Sequence, residues 1–125
     1  MRNDADSAEV AFSMPGGEVC GSSAARPVDL VHLARQTMGD RDLEREVLGL
    51  FVQQALSVCD EIAGADEKRR LLLAHGLKGS ARAVGAFSVA DCAAAIERGP
   101  QDAGALKRLG VLIEDVREFV AAISR

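Results

Sequence analysis

The residues in this sequence that could do covalent chemistry surround one histidine, His75. If residues 74–85 form a helix, positions three and four apart share a face. One face is apolar and consists of Ala74, Leu77, Ala81 and Val84. Nearly opposite lie His75, Lys78, Gly79 and Arg82. The spacing therefore predicts an imidazole that points into solvent, on a helix that is packed from behind.

Gly79 lies one helical turn beyond the histidine, on the same exposed side. A glycine inside a helix costs about 1 kcal/mol relative to alanine, so we expect it to have a compensating role. A position without a side chain, next to an exposed imidazole, would let a partner protein come close.

The side chains around His75 suit phosphoryl transfer. A free imidazole has a pKa of about 6.5, so much of it is neutral at pH 7, and its unprotonated nitrogen is a nucleophile. A phosphoryl group on that nitrogen would carry about two negative charges. Lys78 could screen this charge, and Arg82 could reach the phosphate or an acidic edge of a partner. Gly79 would let a partner's active site close over the group.

No nucleotide-binding signal accompanies the histidine. The sequence contains neither a GxxxxGK[ST] loop nor a kinase glycine-rich loop. No carboxylate cluster in the sequence indicates a magnesium site. We therefore expect a phosphocarrier that is not an enzyme and has no cofactor of its own, with magnesium and carboxylates supplied by the partner.

The composition is typical of one soluble globular domain. The 125 residues are 48% hydrophobic and 27% charged, and the formal net charge is −4. Trp and Tyr are absent and Phe is scarce, which together with the acidity argues against a nucleic-acid binder. The first residues have no long apolar run, so we expect no signal peptide or membrane span and a cytoplasmic location.

The cysteines and the second histidine suggest no further chemistry. Cys20, Cys59 and Cys92 are far apart and lack CxxC spacing, which predicts neither a disulfide framework nor a zinc site. Cys59 and Cys92 fall in apolar helical runs and are predicted to be core thiols. His32 has no second ligand at metal spacing, so we interpret it as a surface or packing residue. A metal-dependent or metabolic enzyme is accordingly disfavoured.

Residues 1–26 differ from the rest because they contain Pro-Gly-Gly and Gly-Ser-Ser runs. We predict a partly ordered or flexible arm there, followed by one domain at 27–125. Pro27 is predicted to open a short helix, with Asp29 in its first turn and Gly39 at its end.

Apolar residues at threes and fours predict four longer helices. They span about 40–63, 67–84 and 89–98, and the stretch after Asp102. Asp66, Ser88 and Asp102 are the predicted N-caps. The first of these helices has the apolar set Leu43, Val47, Leu50, Phe51, Leu56, Val58, Cys59 and Ile62. The last has Leu106, Leu109, Ile113, Val116, Val120 and Ile123. The fold class predicted is all-α, an antiparallel up-down four-helix bundle with a short additional N-terminal helix.

The stretch from His75 resembles the signature of the histidine-containing phosphotransfer (HPt) domains of multistep two-component phosphorelays, H-x-L-K-G-x-x-x-x-x-G. The matching residues are His75, Leu77, Lys78, Gly79 and Gly85. Further similarity lies at Ala74, Ala86, Cys92, Ile96-Glu97 and the segment from Gly39-Asp40 to Phe51. The resemblance covers about residues 27–124.

This resemblance implies that His75 accepts the phosphoryl group on Nε2, that Lys78 faces the phosphate, and that Gly79 gives access. Family members often place a polar residue, frequently glutamine, on the neighbouring helix beside the ring, and Glu97 falls near that place. Because a carboxylate would repel phosphate, we expect Glu97 to orient the imidazole by accepting its proton. The residues predicted to contact a partner are Leu71, Leu72, Arg82 and Glu97.

The resemblance also implies a monomer that relays phosphoryl groups between His75 and receiver-domain aspartates. Its expected partners are response regulators and a hybrid histidine kinase, and the receiver domain would supply magnesium. A kinase dimerisation hairpin is a related interpretation, but its usual H-[ED]-[LI]-[RK]-T-P run is missing. A non-catalytic adaptor that binds receiver or kinase domains through Leu71, Leu72 and Gly79 is the alternative.

Overall fold

The computed structural model describes residues 26–124, and all regular secondary structure in that range is helical. Five helices follow one another along the chain: α1 (Leu30–Gln36), α2 (Arg41–Ile62), α3 (Glu67–Val84), α4 (Phe87–Arg98) and α5 (Ala103–Ile123). The predicted all-α bundle with a short leading helix is confirmed. The arm predicted at residues 1–26 lies outside the described residues, except for Arg26.

Helices α2 to α5 form the bundle, and short connections make successive helices antiparallel. Each packs on its neighbours in the chain, and α5 closes the ring by packing on α2. The short α1 packs against α3. As a result α3, which carries His75, has α2 on one side and α4 on the other, with α5 lying diagonally across the core.

Aspartate side chains begin four of the helices, because each carboxylate accepts a hydrogen bond from the backbone N–H three residues later. The four N-caps are Asp29, Asp40, Asp66 and Asp102, with distances of 2.8 to 3.1 Å. The predicted caps Asp66 and Asp102 are confirmed. Pro27 does not open α1, which begins three residues later behind its cap Asp29.

The predicted cap Ser88 is wrong. Helix α4 begins at Phe87, and the preceding Ala86 provides no side-chain hydrogen bond. The backbone N–H of Ala86 already donates to the carbonyl of Ala81, so the chain reverses tightly after α3 and enters α4 without a polar cap. The capping signature of Ser88 and Asp91 lies inside the first turns of the helix.

The core contains the apolar stripe predicted for the histidine helix, since Ala74, Leu77, Ala81 and Val84 are all buried. Three residues predicted to face inward are instead exposed: Leu43, Leu50 and Ile123. The buried residues of α2 follow the series Leu48, Phe51, Ala55, Val58 and Ile62. Leu50 precedes Phe51 by one residue, so it lies about 100° round the helix from the buried face.

Both described cysteines are free thiols inside helices, as predicted for core cysteines. Cys92 is buried and Cys59 half-buried, and burial raises the pKa of each thiol. His32 is a packing residue, because its ring meets Phe87 edge to face with 5.1 Å between centroids. Within residues 26–124 no helix is long and apolar enough to cross a membrane, and no cluster of His, Cys, Asp or Glu could hold a metal.

Candidate functional site

His75 lies near the middle of α3 and points away from the bundle. Its side chain is 73% exposed, whereas its neighbour Ala74 is fully buried. The helix is held by its buried stripe and by the Asp66 cap at its start. The predicted exposed imidazole on a fixed helix is therefore present.

A carboxylate from the neighbouring helix α4 joins His75 to Lys78. Glu97 Oε2 lies 2.9 Å from His75 Nδ1, and Glu97 Oε1 lies 2.5 Å from Lys78 Nζ. The side chains of Lys78 and Glu97 are each about four-fifths buried. The three residues form a compact polar cluster, with Glu97 between the imidazole and the ammonium group.

The charge of Glu97 determines which nitrogen of His75 is free to react. Hydrogen bonds from Lys78 and then from His75 hold the pKa of the Glu97 carboxyl below its usual value, so it is ionised at neutral pH. An ionised carboxylate only accepts hydrogen bonds, so the neutral imidazole must carry its proton on Nδ1 to make this contact. The unprotonated nitrogen, and hence the nucleophile, is then Nε2.

The backbone of α3 is bare next to His75. A Cβ atom added at Gly79, or at Gly76 one turn earlier, would meet nothing within 4 Å. The fold of the free protein would thus accommodate a side chain at either position. The open space at Gly79 is compatible with the access role expected from the sequence, and that role stays a prediction.

The four residues predicted to contact a partner differ in exposure and in the groups they face. Leu72 is 60% exposed, whereas Leu71 is partly buried. Arg82 is exposed and lies close enough to Asp91 of α4 for their charges to interact, so it faces a different neighbour from Lys78. Glu97 is hydrogen-bonded to His75.

An apolar groove between α2 and α3 was not predicted. Its volume is about 260 Å³, and its walls include Val47, Leu50, Gln54, Ser80 and Ala83. Ser80 and Ala83 follow Gly79 along α3, and Leu50 is 61% exposed. Leu50 falls off the series of buried residues in α2, and this series became evident only from the packing of the bundle.

Gly85, the last glycine of the signature, has a structural role in positioning the histidine helix. Its φ is +89°, and a Cβ there would lie 2.8 Å from the carbonyl oxygen of Asp29. The Gly85 carbonyl accepts a hydrogen bond from the Asp29 N–H at 2.9 Å. A residue with a side chain would be strained in this conformation and would push α1 away from the end of α3.

Arg70 is a second structural residue, and the sequence pattern did not single it out. Its guanidinium donates to the carbonyls of Ile62 at 2.9 Å, Ala63 at 2.6 Å and Pro100 at 2.8 Å. These carbonyls belong to the end of α2 and the turn between α4 and α5. Arg70 therefore ties both connections to α3 at the end of the bundle where α3 begins.

In a comparison with protein-family models, the Hpt domain matches residues 46–125. The matched range includes α3 to α5 entirely and most of α2, and so contains His75, Lys78, Gly79 and Glu97. Searches of curated proteins and of solved structures returned no match.

Proposed function

Because the chain belongs to the Hpt domain family, we propose that it is a phosphorelay carrier whose His75 exchanges phosphoryl groups with the aspartates of receiver domains. Hpt domains are phosphocarrier modules of two-component signalling, and they interact with response-regulator receiver domains and kinase domains. The observation that carries the proposal is the contact of Glu97 with Nδ1 of an exposed imidazole, which leaves Nε2 available to a partner.

In the proposed step, the lone pair of His75 Nε2 attacks the phosphorus of a receiver aspartyl phosphate. The bond from phosphorus to the aspartate oxygen breaks, and its electron pair leaves on the carboxylate. The receiver supplies the magnesium ion that stabilises the charge in transit. The chain itself then contributes position, access and a nearby positive charge, without acting as a kinase.

Lys78 and Gly79 are assigned accessory roles in this step. The Lys78 ammonium is held one turn from His75 by Glu97, where it can screen an incoming phosphoryl group. The bare backbone at Gly79 gives the receiver's active site room to approach Nε2. Neither residue supplies the nucleophile, so replacing either one should slow transfer without abolishing it.

The apolar groove between α2 and α3 is the proposed docking surface for the receiver. It adjoins Gly79, and Leu50 and Leu72 add exposed apolar surface to the same two helices. A docked domain there would bury apolar area next to the reactive ring, which is how interfaces gain affinity and orientation together. Arg82, further along α3, would face the rim of such a complex.

The test is a transfer assay with purified receiver domains of the host, each first phosphorylated with radiolabelled acetyl phosphate and magnesium. We expect the label to move to the chain, to be lost in acid and to survive base, as a phosphorus–nitrogen bond requires. The variant His75→Gln should take up no label, and incubation of the parent with magnesium and ATP alone should leave it unlabelled.

Two outcomes would contradict the proposal. If His75→Gln accepted label as well as the parent, the acceptor would be another residue. If receivers bound the chain while no label moved from any of them, and His75→Ala left binding unchanged, a non-catalytic adaptor would be the better interpretation.

A further inference from the structure

The group next to the reactive ring already carries a negative charge. Glu97 accepts from His75 Nδ1 through one oxygen and from Lys78 through the other. Both hydrogen bonds hold the pKa of its carboxyl low, so the charge is present at neutral pH. A phosphoryl group on His75 would therefore lie beside the Glu97 carboxylate and would have to share the Lys78 ammonium with it.

We propose that Glu97 is a positioning residue whose negative charge makes His75 a ready phosphoryl donor: the charge opposes that of the phosphoryl group, in addition to the Nδ1 contact already described. The inference rests on the function proposed above and concerns the stability of the phosphorylated state. It assigns to a carboxylate a role that a neutral amide at the same position would perform only in part.

The first part of this role concerns the leaving group. When Nε2 bonds to phosphorus, the proton on Nδ1 stays, and the ring becomes a cation hydrogen-bonded to Glu97. When a receiver aspartate attacks the phosphorus, the electron pair of the nitrogen–phosphorus bond returns to Nε2. The ring then leaves as neutral imidazole with its Nδ1 proton still held by Glu97. No proton has to be exchanged with solvent in either direction, and an imidazolate anion, a poor leaving group, is avoided.

The second part concerns charge. The phosphoryl group brings about two negative charges, and the Lys78 ammonium that could offset them lies 2.5 Å from Glu97. Lys78 and Glu97 are mostly shielded from water, so solvent screens these charges less than at a free surface. Even with a cationic ring, phosphorylation adds about one net negative charge to the site. Repulsion between this charge and Glu97 raises the free energy of the phosphorylated state relative to a site with no carboxylate, and so favours donation.

The variant Glu97→Gln separates charge from shape. Glutamine keeps a carbonyl oxygen that can accept from Nδ1, but it has no negative charge and releases Lys78 to face the phosphoryl group. Parent and variant can both be phosphorylated with phosphoramidate, a small donor that needs no receiver. We expect phosphohistidine in the variant to hydrolyse about fivefold more slowly at pH 7.5, an effect of the size measured for partly exposed charge pairs.

The same shift should appear at equilibrium with a receiver. In mixtures with a receiver domain and magnesium, the ratio of phosphorylated His75 to phosphorylated aspartate should rise about fivefold in Glu97→Gln. Lys78→Met should change both readouts in the opposite direction, because it removes the cation and leaves the carboxylate. Nitrogen-15 NMR of the unphosphorylated parent should show the proton of the neutral ring on Nδ1.

Glu61→Gln is the matched control. Glu61 is exposed and pairs with Arg69 at 2.6 Å, outside the cluster of His75, Lys78 and Glu97. This variant should keep the hydrolysis rate and the equilibrium ratio of the parent. Thermal unfolding by circular dichroism confirms that each variant is folded before its rates are compared.

Equal hydrolysis rates in folded parent and Glu97→Gln would overturn the inference, as would a neutral parent ring protonated mainly on Nε2. The phosphoramidate experiment does not involve a receiver. If no receiver exchanged phosphate with the parent, the proposed relay function would fail while a slower hydrolysis in Glu97→Gln would still support the role of Glu97.

Discussion

Gly79 leaves the backbone of α3 bare beside a nucleophilic ring, and a glycine at this position is unfavourable for the helix itself. A Cβ at this position would meet nothing within 4 Å, so the free protein gives no steric reason for the missing side chain. We therefore propose that the role of Gly79 belongs to a partner-bound state. Gly85, in contrast, is required by the fold of the free protein.

Replacing Gly79 with glutamine should stabilise the protein by up to about 0.7 kcal/mol, because glutamine is the better helix former. The same change should slow transfer from a phosphorylated receiver by about tenfold or more, since the side chain would displace the partner from Nε2. Urea unfolding and single-turnover transfer measure the two effects.

Gly110→Gln is the control for this variant. Gly110 is exposed, lies on α5 away from His75 and also has open space at its Cβ position. It should show the gain in stability with the transfer rate of the parent. A Gly79→Gln protein that transferred as fast as Gly110→Gln would remove the steric explanation.

At the scale of elements, the junction of α1 with α3 depends on a tight turn. The N–H of Ala86 donates to Ala81 at 2.8 Å and that of Gly85 to Arg82 at 3.3 Å, which ends α3 in a Schellman turn. The carbonyl of Gly85 also accepts a hydrogen bond from the backbone N–H of Asp29. One residue therefore ends the histidine helix, starts the reversal into α4 and holds the segment before α1.

Gly85→Ala should destabilise the protein by about 2–4 kcal/mol, because it combines a left-handed backbone conformation with a clash against the Asp29 carbonyl. Gly39→Ala is a matched comparison: its φ is +77°, but a Cβ there would meet nothing within 4 Å. It should cost about 1–2 kcal/mol. If the two variants unfold in urea with equal m-values, the difference between their midpoints measures the cost of the clash with the Asp29 carbonyl. Equal losses of stability in the two variants would show that this clash adds nothing.

At the scale of the molecule, the side of the bundle that carries His75, proposed above to be the reactive side, differs from the remote side. His75 lies on α3, which is flanked by α2 and α4, while α5 lies across the core from α3. The groove between α2 and α3 with the exposed Leu50 belongs to the reactive side, and Val111 on α5, 57% exposed, belongs to the remote side. Exposed apolar residues on the two sides should consequently differ in their effect on transfer.

Leu50→Glu should raise the receiver concentration needed for half-maximal transfer by about fivefold or more, because it places a charge in the docking surface. Stability should change by no more than about 0.5 kcal/mol, since the side chain is exposed. Val111→Glu makes the same chemical change on the remote side and should leave transfer as in the parent. Identical concentration dependence in the two variants would place the docking surface elsewhere.

The periodic parts of this fold were predictable, because helix spacing and capping are local. The stripe behind His75 and the caps Asp66 and Asp102 follow from residues within one or two turns of each other. Ser88 was misjudged because the preceding reversal, which is fixed by Gly85, starts α4 earlier than its polar signature. Leu50 was predicted to be buried but is exposed, because a run of apolar residues does not show which part of the helix surface the bundle covers.

The site was predictable only in its part along α3. His75, Lys78 and Gly79 lie within two turns, so their common side follows from spacing alone. The contact of His75 with Glu97 joins residues 22 positions apart, and it was expected only through family resemblance. The contacts of Arg70 could not be predicted from local sequence, because its three carbonyl partners are brought together only by the packing of the bundle.

The backbone hydrogen bond between Asp29 and Gly85 has a consequence for partners that are covalently tethered to the chain. Gly85 is ten residues beyond His75, or roughly 15 Å along the helix axis. A receiver fused by a short linker directly before Arg26, in place of residues 1–25, would be tethered near that point, and would meet the imidazole at millimolar effective concentration if the linker spans the gap. Such a fusion is thus a means of comparing cognate with non-cognate receivers when diffusional encounter no longer limits the rate.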